Sequence, residues 1–508
     1  MLDKIKLKKI GIFSGIFIFV SLIIMTYYTK IFSSDIVIDS VNIPRYIKFF
    51  AILTSIAIVV SIACLFAFKN YNDKNIHKKY FICAILIGMC YIIMIPLFSQ
   101  SDEAAHYVRT YNIVNNGEIV NSPSEKKQIE QVVIDSIFVN GDQFKKKNYD
   151  NIIKMSQFKN DGNKVNYTGL SEAAYSPTTY LPLIIGVKVG QLLNFNPYFT
   201  GMLARIFSLF FCVSLVTLGI KLLPKGKFFI SMIFLSPVAL QYMSAFSSDG
   251  TLFTYFFLLL AYTLNIREKE KKLGFKGITI LFILSLLIGL TKTVYSPLVF
   301  IILLIPNKSF SNKKNVAIIL KSVIIFSTFV IDYLWLKLPA LLASQTASSL
   351  ANHTNGWIFH NPVKFIMIII SNFINDGYGE LTNIFGSGNL CHYNFKCGNL
   401  IPFLLLVTYT CAYLSEKIDY KIKKSSRIFY ALIAVGIYVS IATVMYYYNT
   451  PENYSTIFGL QGRYLFPVLL LIILYPNKKF NINKKYVILG NIFTSFLVML
   501  TLIKTFMV

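Results

Sequence analysis

The stretch FFAILTSIAIVVSIACLFAFKNYNDKNIHKK, residues 49–79, decides the fold class. From Phe49 to Phe68 there is no charged side chain. At 1.5 Å per residue, a helix over that run covers the roughly 30 Å of a bilayer's hydrocarbon core. Lys69, Lys74, Lys78 and Lys79 follow within a few positions, and short Lys-rich clusters of this kind mark the cytoplasmic side of a membrane span.

The same alternation runs through the chain. Ile12 to Tyr28 and Val316 to Leu336 are further apolar blocks of spanning length. Of the 508 residues 55% are hydrophobic and 14% charged, whereas a soluble chain carries about 25% charged residues. Membrane embedding follows. The net charge of +26 raises nucleic acid as a partner, but most Lys and Arg sit in short clusters between apolar blocks, and the one long polar stretch, Ser101 to Tyr175, has mixed charge. A folded basic face is therefore not expected, and neither is nucleic-acid binding.

Lys4 to Lys9 place the amino terminus in the cytoplasm. The block that follows is long and ends at Tyr27-Tyr28-Thr29-Lys30 without small residues, so it reads as an uncleaved anchor. Cys64, Cys83, Cys90, Cys212 and Cys411 lie inside apolar blocks, where they behave as small hydrophobes. Cys391 and Cys397 fall in a polar loop expected outside, where either a disulfide or two thiols would be compatible with the spacing.

Further basic clusters at Lys225–Lys227, Arg267–Lys276, Lys308–Lys314, Lys417–Arg427 and Lys478–Lys485 thread the chain. With all of them cytoplasmic, spans fall near 10–28, 49–68, 80–98, 203–223, 229–246, 250–266, 277–291, 293–306, 316–338, 399–415, 428–447, 463–475 and 486–506. The expected fold is an all-α polytopic transmembrane helical bundle of about 13 spans, several of them short. Counting Thr178 to Asn194 as a span would put every later basic cluster outside. It is expected instead to be an interfacial or re-entrant helix within one large outer loop, residues 99–202. A second outer region covers residues 339–399. No internal repeat is evident.

The residues able to do chemistry gather on the outer side of this topology. In Ser101-Asp102-Glu103-Ala104-Ala105-His106-Tyr107-Val108-Arg109, a helix would place Asp102, His106 and Arg109 on one face, with Ser101 as its cap. Two acids in a first turn also suit the helix dipole, so a capped interfacial helix is the plain alternative. The functional alternative makes the carboxylate a general base or the ligand of a divalent cation. Tyr175 and Tyr180, in Tyr175-Ser176-Pro177-Thr178-Thr179-Tyr180-Leu181-Pro182, suit either a headgroup belt or a sugar face. Arg205, and Lys292 within Gly289-Leu290-Thr291-Lys292-Thr293, either snorkel to headgroups or hold a phosphate. Ser247-Ser248-Asp249 is a turn or a polar contact in the site. In Gly459-Leu460-Gln461-Gly462-Arg463-Tyr464, Gln461 and Gly462 make an open approach to a guanidinium suited to phosphate oxygens.

Taken in order, these elements resemble a family of bacterial polytopic membrane proteins catalogued as a domain of unknown function, whose members look like GT-C glycosyltransferases. The resemblance rests on Asp102-Glu103-Ala104-Ala105-His106 with Arg109, on Tyr175 to Pro182 followed by Ala204-Arg205, on Ser236-Pro237 with Ser247 to Asp249, and on Gln461 to Pro467. The family commonly has Pro after the Glu, where this chain has Ala104. The likeness covers roughly residues 80–475. It leaves residues 1–79 as two additional amino-terminal transmembrane helices and 476–508 as a carboxy-terminal one. GT-C enzymes of the lipid A aminoarabinose and protein mannosyl transferase type are similar in outline, with an acidic outer first loop and a proline-led juxtamembrane helix.

The resemblance implies a transferase in the cell membrane with its active face outside the cytoplasm. It would move a sugar from a polyprenyl-phosphate or polyprenyl-diphosphate donor to a cell-envelope glycan, lipid or protein. Asp102 would be general base or metal ligand, with Glu103 assisting or sharing a divalent cation, Mg or Mn. Arg205, Lys292 and Arg463 would grip the lipid phosphate. His106, Arg109, Tyr175, Tyr180, Asp249 and Gln461 would bind and position the substrate. The rival readings are a transporter or flippase for a lipid-linked glycan, and a non-catalytic membrane partner in envelope assembly. A transporter, however, usually builds its site near the midplane on paired repeats.

Overall fold

The computed structural model describes residues 43–117, 119, 127–141, 152, 154–159, 162–167, 175–342, 357–384, 400–451 and 454–507. The molecule is an all-α helical bundle. Among the described residues there are two short strands, Lys127–Glu130 and Lys164–Tyr167, which pair antiparallel in the polar stretch after residue 101. Seven helices among the described residues are long and apolar enough to cross a membrane: Phe50–Phe68, Ile76–Met94, Pro197–Leu222, Asp249–Glu268, Lys314–Leu338, Lys424–Asn449 and Lys484–Thr505. Phe275–Thr291, Thr293–Leu304, Leu400–Leu414 and Gly462–Leu474 are apolar but shorter.

The described residues do not confirm a count of about thirteen spans, and proline is one physical reason. The stretch expected as a span at 229–246 is two short helices, Lys227–Phe234 and Pro237–Met243. Pro237 has no N–H to continue the ladder, and the Ser236 hydroxyl accepts from the Ala239 amide 3.2 Å away to start a new helix. Pro297 likewise lies inside Thr293–Leu304, which winds as a 3₁₀-helix. The expected span at 10–28, and Cys391 and Cys397, lie outside the described residues.

Asp249–Glu268 is the central helix, almost wholly buried inside the protein. Lys314–Leu338 and Lys424–Asn449 are mostly unburied and turn wide apolar faces outward. Exposed Ile319, Phe326, Leu334, Leu432 and Val435 would meet lipid there.

Thr178 to Asn194 does not form a helix of spanning length. A 3₁₀ turn, Pro177–Tyr180, leads into Leu181–Leu192, whose 12 residues reach about 18 Å. This short helix lies against Pro197–Leu222 at backbone contact. A Cβ on Gly186 would stand 2.4 Å from Ala204 Cα, and one on Gly190 3.0 Å from Thr200 Cα. Glycines four residues apart give the smooth face that so close an approach requires.

The loops sort to the two ends of the bundle. At one end the basic connections touch each other: Lys225 pairs with Glu268 at 2.7 Å, Arg267 donates to the Leu304 carbonyl, the Leu273 amide to Ser309, and the Ile418 amide to Asn477. At the other end lie the connections that carry residues 95–103, 244–249, 292 and 461–463. The Ile76–Met94 helix, 19 residues long, sets the distance between the ends at about 28 Å.

Candidate functional site

The helix after residue 101 begins at Glu103, one residue later than a Ser101 cap implies. Asp102 is its N-cap, with φ +64° and ψ 2° and no side-chain capping bond. Aspartate tolerates this left-handed conformation better than most residues. The consequence is chemical: the Asp102 carboxylate does not serve the helix end and half of its side chain is exposed. Positive-φ residues other than glycine often mark sites where geometry is held for function.

Asp102 approaches Arg463, whose Nη2 donates to Oδ2 at 3.3 Å. Arg463 is 3% exposed and ends in a cage. Its Nη1 donates to the Tyr242 hydroxyl at 2.5 Å, and its guanidinium carbon lies 4.8 and 5.1 Å from the ring centres of Tyr242 and Tyr464. Its Nε is 3.0 Å from Asp249 Oδ2 without the alignment of a hydrogen bond. The other oxygen of Asp249 accepts from Lys292 Nζ. Lys292 in turn faces the rings of Tyr464 and Tyr175 at 5.0 and 5.8 Å. Two cations thus flank one buried carboxylate, aromatic faces line them, and a second carboxylate stands at the open rim. Such desolvated cations need anionic company, which Asp249 supplies in part.

Helix ends explain the convergence. Asp249 opens the central helix, Lys292 closes Phe275–Thr291 in extended backbone, and Arg463 sits in the 3₁₀ turn Gly462–Leu465. Tyr295 ties two of these elements together by donating to the Tyr464 carbonyl at 2.8 Å.

Glu103 and Arg205 form a separate, closed pair. Both are 0% exposed. Arg205 donates through Nε to Oε1 at 2.8 Å and through Nη2 to Oε2 at 2.5 Å, and gives further bonds to the carbonyls of Ile95 and Pro96. Glu103 also accepts from the amides of Phe98 and Phe246. With its oxygens so occupied, Glu103 does not join Asp102 in a cation site. No group of three His, Cys, Asp or Glu side chains that could hold a metal ion is found among the described residues.

His106 Nδ1 and the Tyr180 hydroxyl are hydrogen-bonded at 2.7 Å, and the imidazole stacks on Tyr175 with ring centres 5.7 Å apart. Arg109 is 1% exposed and donates to the Ile119 and Tyr175 carbonyls at 2.7 and 3.5 Å. These bonds tie the loop that carries Tyr175 to the Glu103–Asn116 helix. Gln461 lies at the start of the Gly462–Leu465 turn, and its buried Oε1 has no hydrogen-bond partner among the described residues. The three residues form a layered arrangement at the helix start, with Asp102 at the rim as the N-cap, His106 and Tyr180 behind it, and Arg109 bracing the loop.

Burial pulls the His106 imidazole down to about 4; Lys292 and Arg463 act in the same direction, and Asp102 and Asp249 oppose them. The folded protein therefore holds His106 neutral while the unfolded chain protonates it below about 6.5. Stability is full above that pH and falls by about 1.4 kcal/mol per unit as pH drops from about 6.5 towards 4. A His106→Gln variant is expected to lose this component. Its thermal midpoint should shift less than wild type between pH 7 and pH 5, and equal shifts would rule the assignment out.

Tyr242, Tyr464 and Tyr295 were not singled out in the sequence. Tyr464 had a signal in its adjacency to Arg463. Tyr242 had none, because it lies in an apolar run 221 positions from the guanidinium it holds.

The model of a family described as "Predicted membrane protein (DUF2142)" matches residues 83–472. No curated protein and no solved structure matches the chain.

Proposed function

The chain belongs to the DUF2142 family of predicted membrane proteins, whose matched segment contains the whole cluster, and we propose that this cluster is the donor-phosphate site of a membrane glycosyltransferase. The observation that carries the reading is the juxtaposition of a half-exposed Asp102 carboxylate with a buried Arg463–Asp249–Lys292 group at 3.3 Å. The donor is a polyprenyl-phosphate or polyprenyl-diphosphate sugar, and the acceptor a hydroxyl on a cell-envelope glycan, lipid or protein. The fold class would be GT-C-like. By the charge of the loops at the opposite end, the cluster faces away from the cytoplasm of a cell membrane.

In this reaction the acceptor oxygen attacks the anomeric carbon as the bond from that carbon to the phosphate oxygen breaks. Asp102 takes the acceptor's proton. The phosphate departs with the bonding electrons, and Arg463 and Lys292 stabilise the charge that develops on it. The long Asp102–Arg463 contact is the one that a phosphate would displace, which releases the carboxylate for the acceptor. Tyr175 and Gln461 line the approach and orient the sugar, His106 and Tyr180 back Tyr175 from within, and Arg109 positions the Tyr175 loop. Glu103 and Arg205 hold the Asp102 turn in place from behind and touch neither substrate.

Polyprenyl phosphate without a sugar tests the donor site directly. Binding to the protein in nanodiscs is expected to weaken about 10- to 100-fold in Arg463→Gln, the range for a lost charge-assisted hydrogen bond. Equal binding by variant and wild type would remove the donor assignment.

A further inference from the structure

The opposite end of the bundle holds a second feature that the transferase reading does not use. A cavity of about 770 Å³ opens there, lined by Lys69, Tyr71, Asn72, Asp73, Lys74, Asn483, Lys484 and Lys485. Its lining comes from the turn between Ile43–Phe68 and Ile76–Met94 and from the start of Lys484–Met507. The helix Ile43–Phe68 packs against both of the others. Every lining residue lies outside the matched segment 83–472, so the two flanks of the chain build this cavity between them.

Four lysines face one aspartate, Asp73, around it. The walls are braced before any ligand arrives. Asn72 Oδ1 accepts from the amides of Lys74 and Asn75 at 3.0 Å, and Asn75 Oδ1 accepts from the Asn72 amide at 2.7 Å. Tyr71 stacks on Phe228 with ring centres 5.5 Å apart, and Lys484 Nζ sits 4.7 Å from the centre of the same Phe228 ring and 3.6 Å from Glu416. All three helices that converge on the cavity are of spanning length, so it stands at the membrane surface. A phosphate there would meet ammonium groups from two directions, with a tyrosine ring on one wall.

We propose that this cavity binds a phosphate-bearing anion, and that its occupant is the headgroup of an anionic phospholipid in the leaflet at the basic end. Near a membrane surface each lysine strengthens such binding about fivefold. Lipid acts here as a clamp, because bridging the 69–74 turn to Lys484 and Lys485 fastens the first described helix to the last.

The test uses the full chain in phosphatidylcholine nanodiscs with and without phosphatidylglycerol, together with a Lys69→Gln/Lys74→Gln/Lys485→Gln variant. These three lysines are exposed, so the variant is expected to fold. Wild type should gain thermal stability with phosphatidylglycerol and retain that lipid through purification, and the variant should bind it at least tenfold more weakly, on the order expected for three lysines. Asp73→Asn should bind more tightly than wild type, whereas Lys271→Gln/Lys272→Gln, in a basic loop outside the cavity, should match wild type. Inorganic phosphate or glycerol phosphate should not reproduce the protection; if either does, the occupant is a soluble anion and the lipid assignment falls. Undiminished lipid retention by the triple variant, or an equal loss in the Lys271/Lys272 control, overturns the site.

Discussion

Asp102→Asn is expected to insert and fold as wild type does, and to transfer sugar about 10²- to 10⁴-fold more slowly, the range for loss of a general base. Asparagine is the informative replacement. It tolerates the left-handed backbone at φ +64° and keeps the shape of the side chain, so only the proton-accepting charge is lost. The half-exposed carboxylate makes no capping bond, and its contact to Arg463 is long at 3.3 Å. Little stability therefore depends on it. Normal turnover by a well-folded Asp102→Asn protein would remove the catalytic role.

The neighbouring acid should behave in the opposite way. Glu103→Ala leaves Arg205 buried, with carbonyl partners but no counter-charge, and is expected to destabilise the protein by about 3–5 kcal/mol. The variant should show low yield and a sharply reduced thermal midpoint in detergent. A Glu103→Met/Arg205→Met double variant should recover part of that loss, because neither charge then remains buried. Recovery will be incomplete, since the amides of Phe98 and Phe246 and the carbonyls of Ile95 and Pro96 lose their partners. If Glu103→Ala were stable but inactive, the pair would belong to the chemistry and not to the scaffold. Adjacent residues with opposite phenotypes are what their burial, half exposed against fully buried, leads one to expect.

The sequence made the membrane class legible, since the charge-free runs and the lysine clusters between them are local properties. Loop charge also argued against Thr178 to Asn194 as a span, and that segment contains a 12-residue helix, Leu181–Leu192, pressed on Pro197–Leu222. Sorting by loop charge brought Asp102, Asp249, Lys292 and Arg463 to the same end of the bundle, where the structure joins them. What stayed hidden was partnership. Whether an acid meets a guanidinium 102 positions away, as Glu103 meets Arg205, is decided by how the helices pack. Local periodicity cannot separate Glu103 from Asp102; a left-handed residue at the helix start does. Composition also does not reveal that Pro237 starts a new helix inside an apolar run, or that the run around Pro297 winds as a 3₁₀-helix.

A cluster confined to one end of the bundle fits transfer at a surface better than transport through the midplane, and the two make different products. The deciding measurement is the release of lipid phosphate from labelled polyprenyl-phosphate sugars by the purified protein in proteoliposomes supplied with envelope acceptors. The proposed function predicts release coupled to sugar appearing on the acceptor, slowed about 10²- to 10⁴-fold in Asp102→Asn and reduced in Arg463→Gln. Intact donor after incubation with folded wild-type protein, or equal release by both variants, would contradict it.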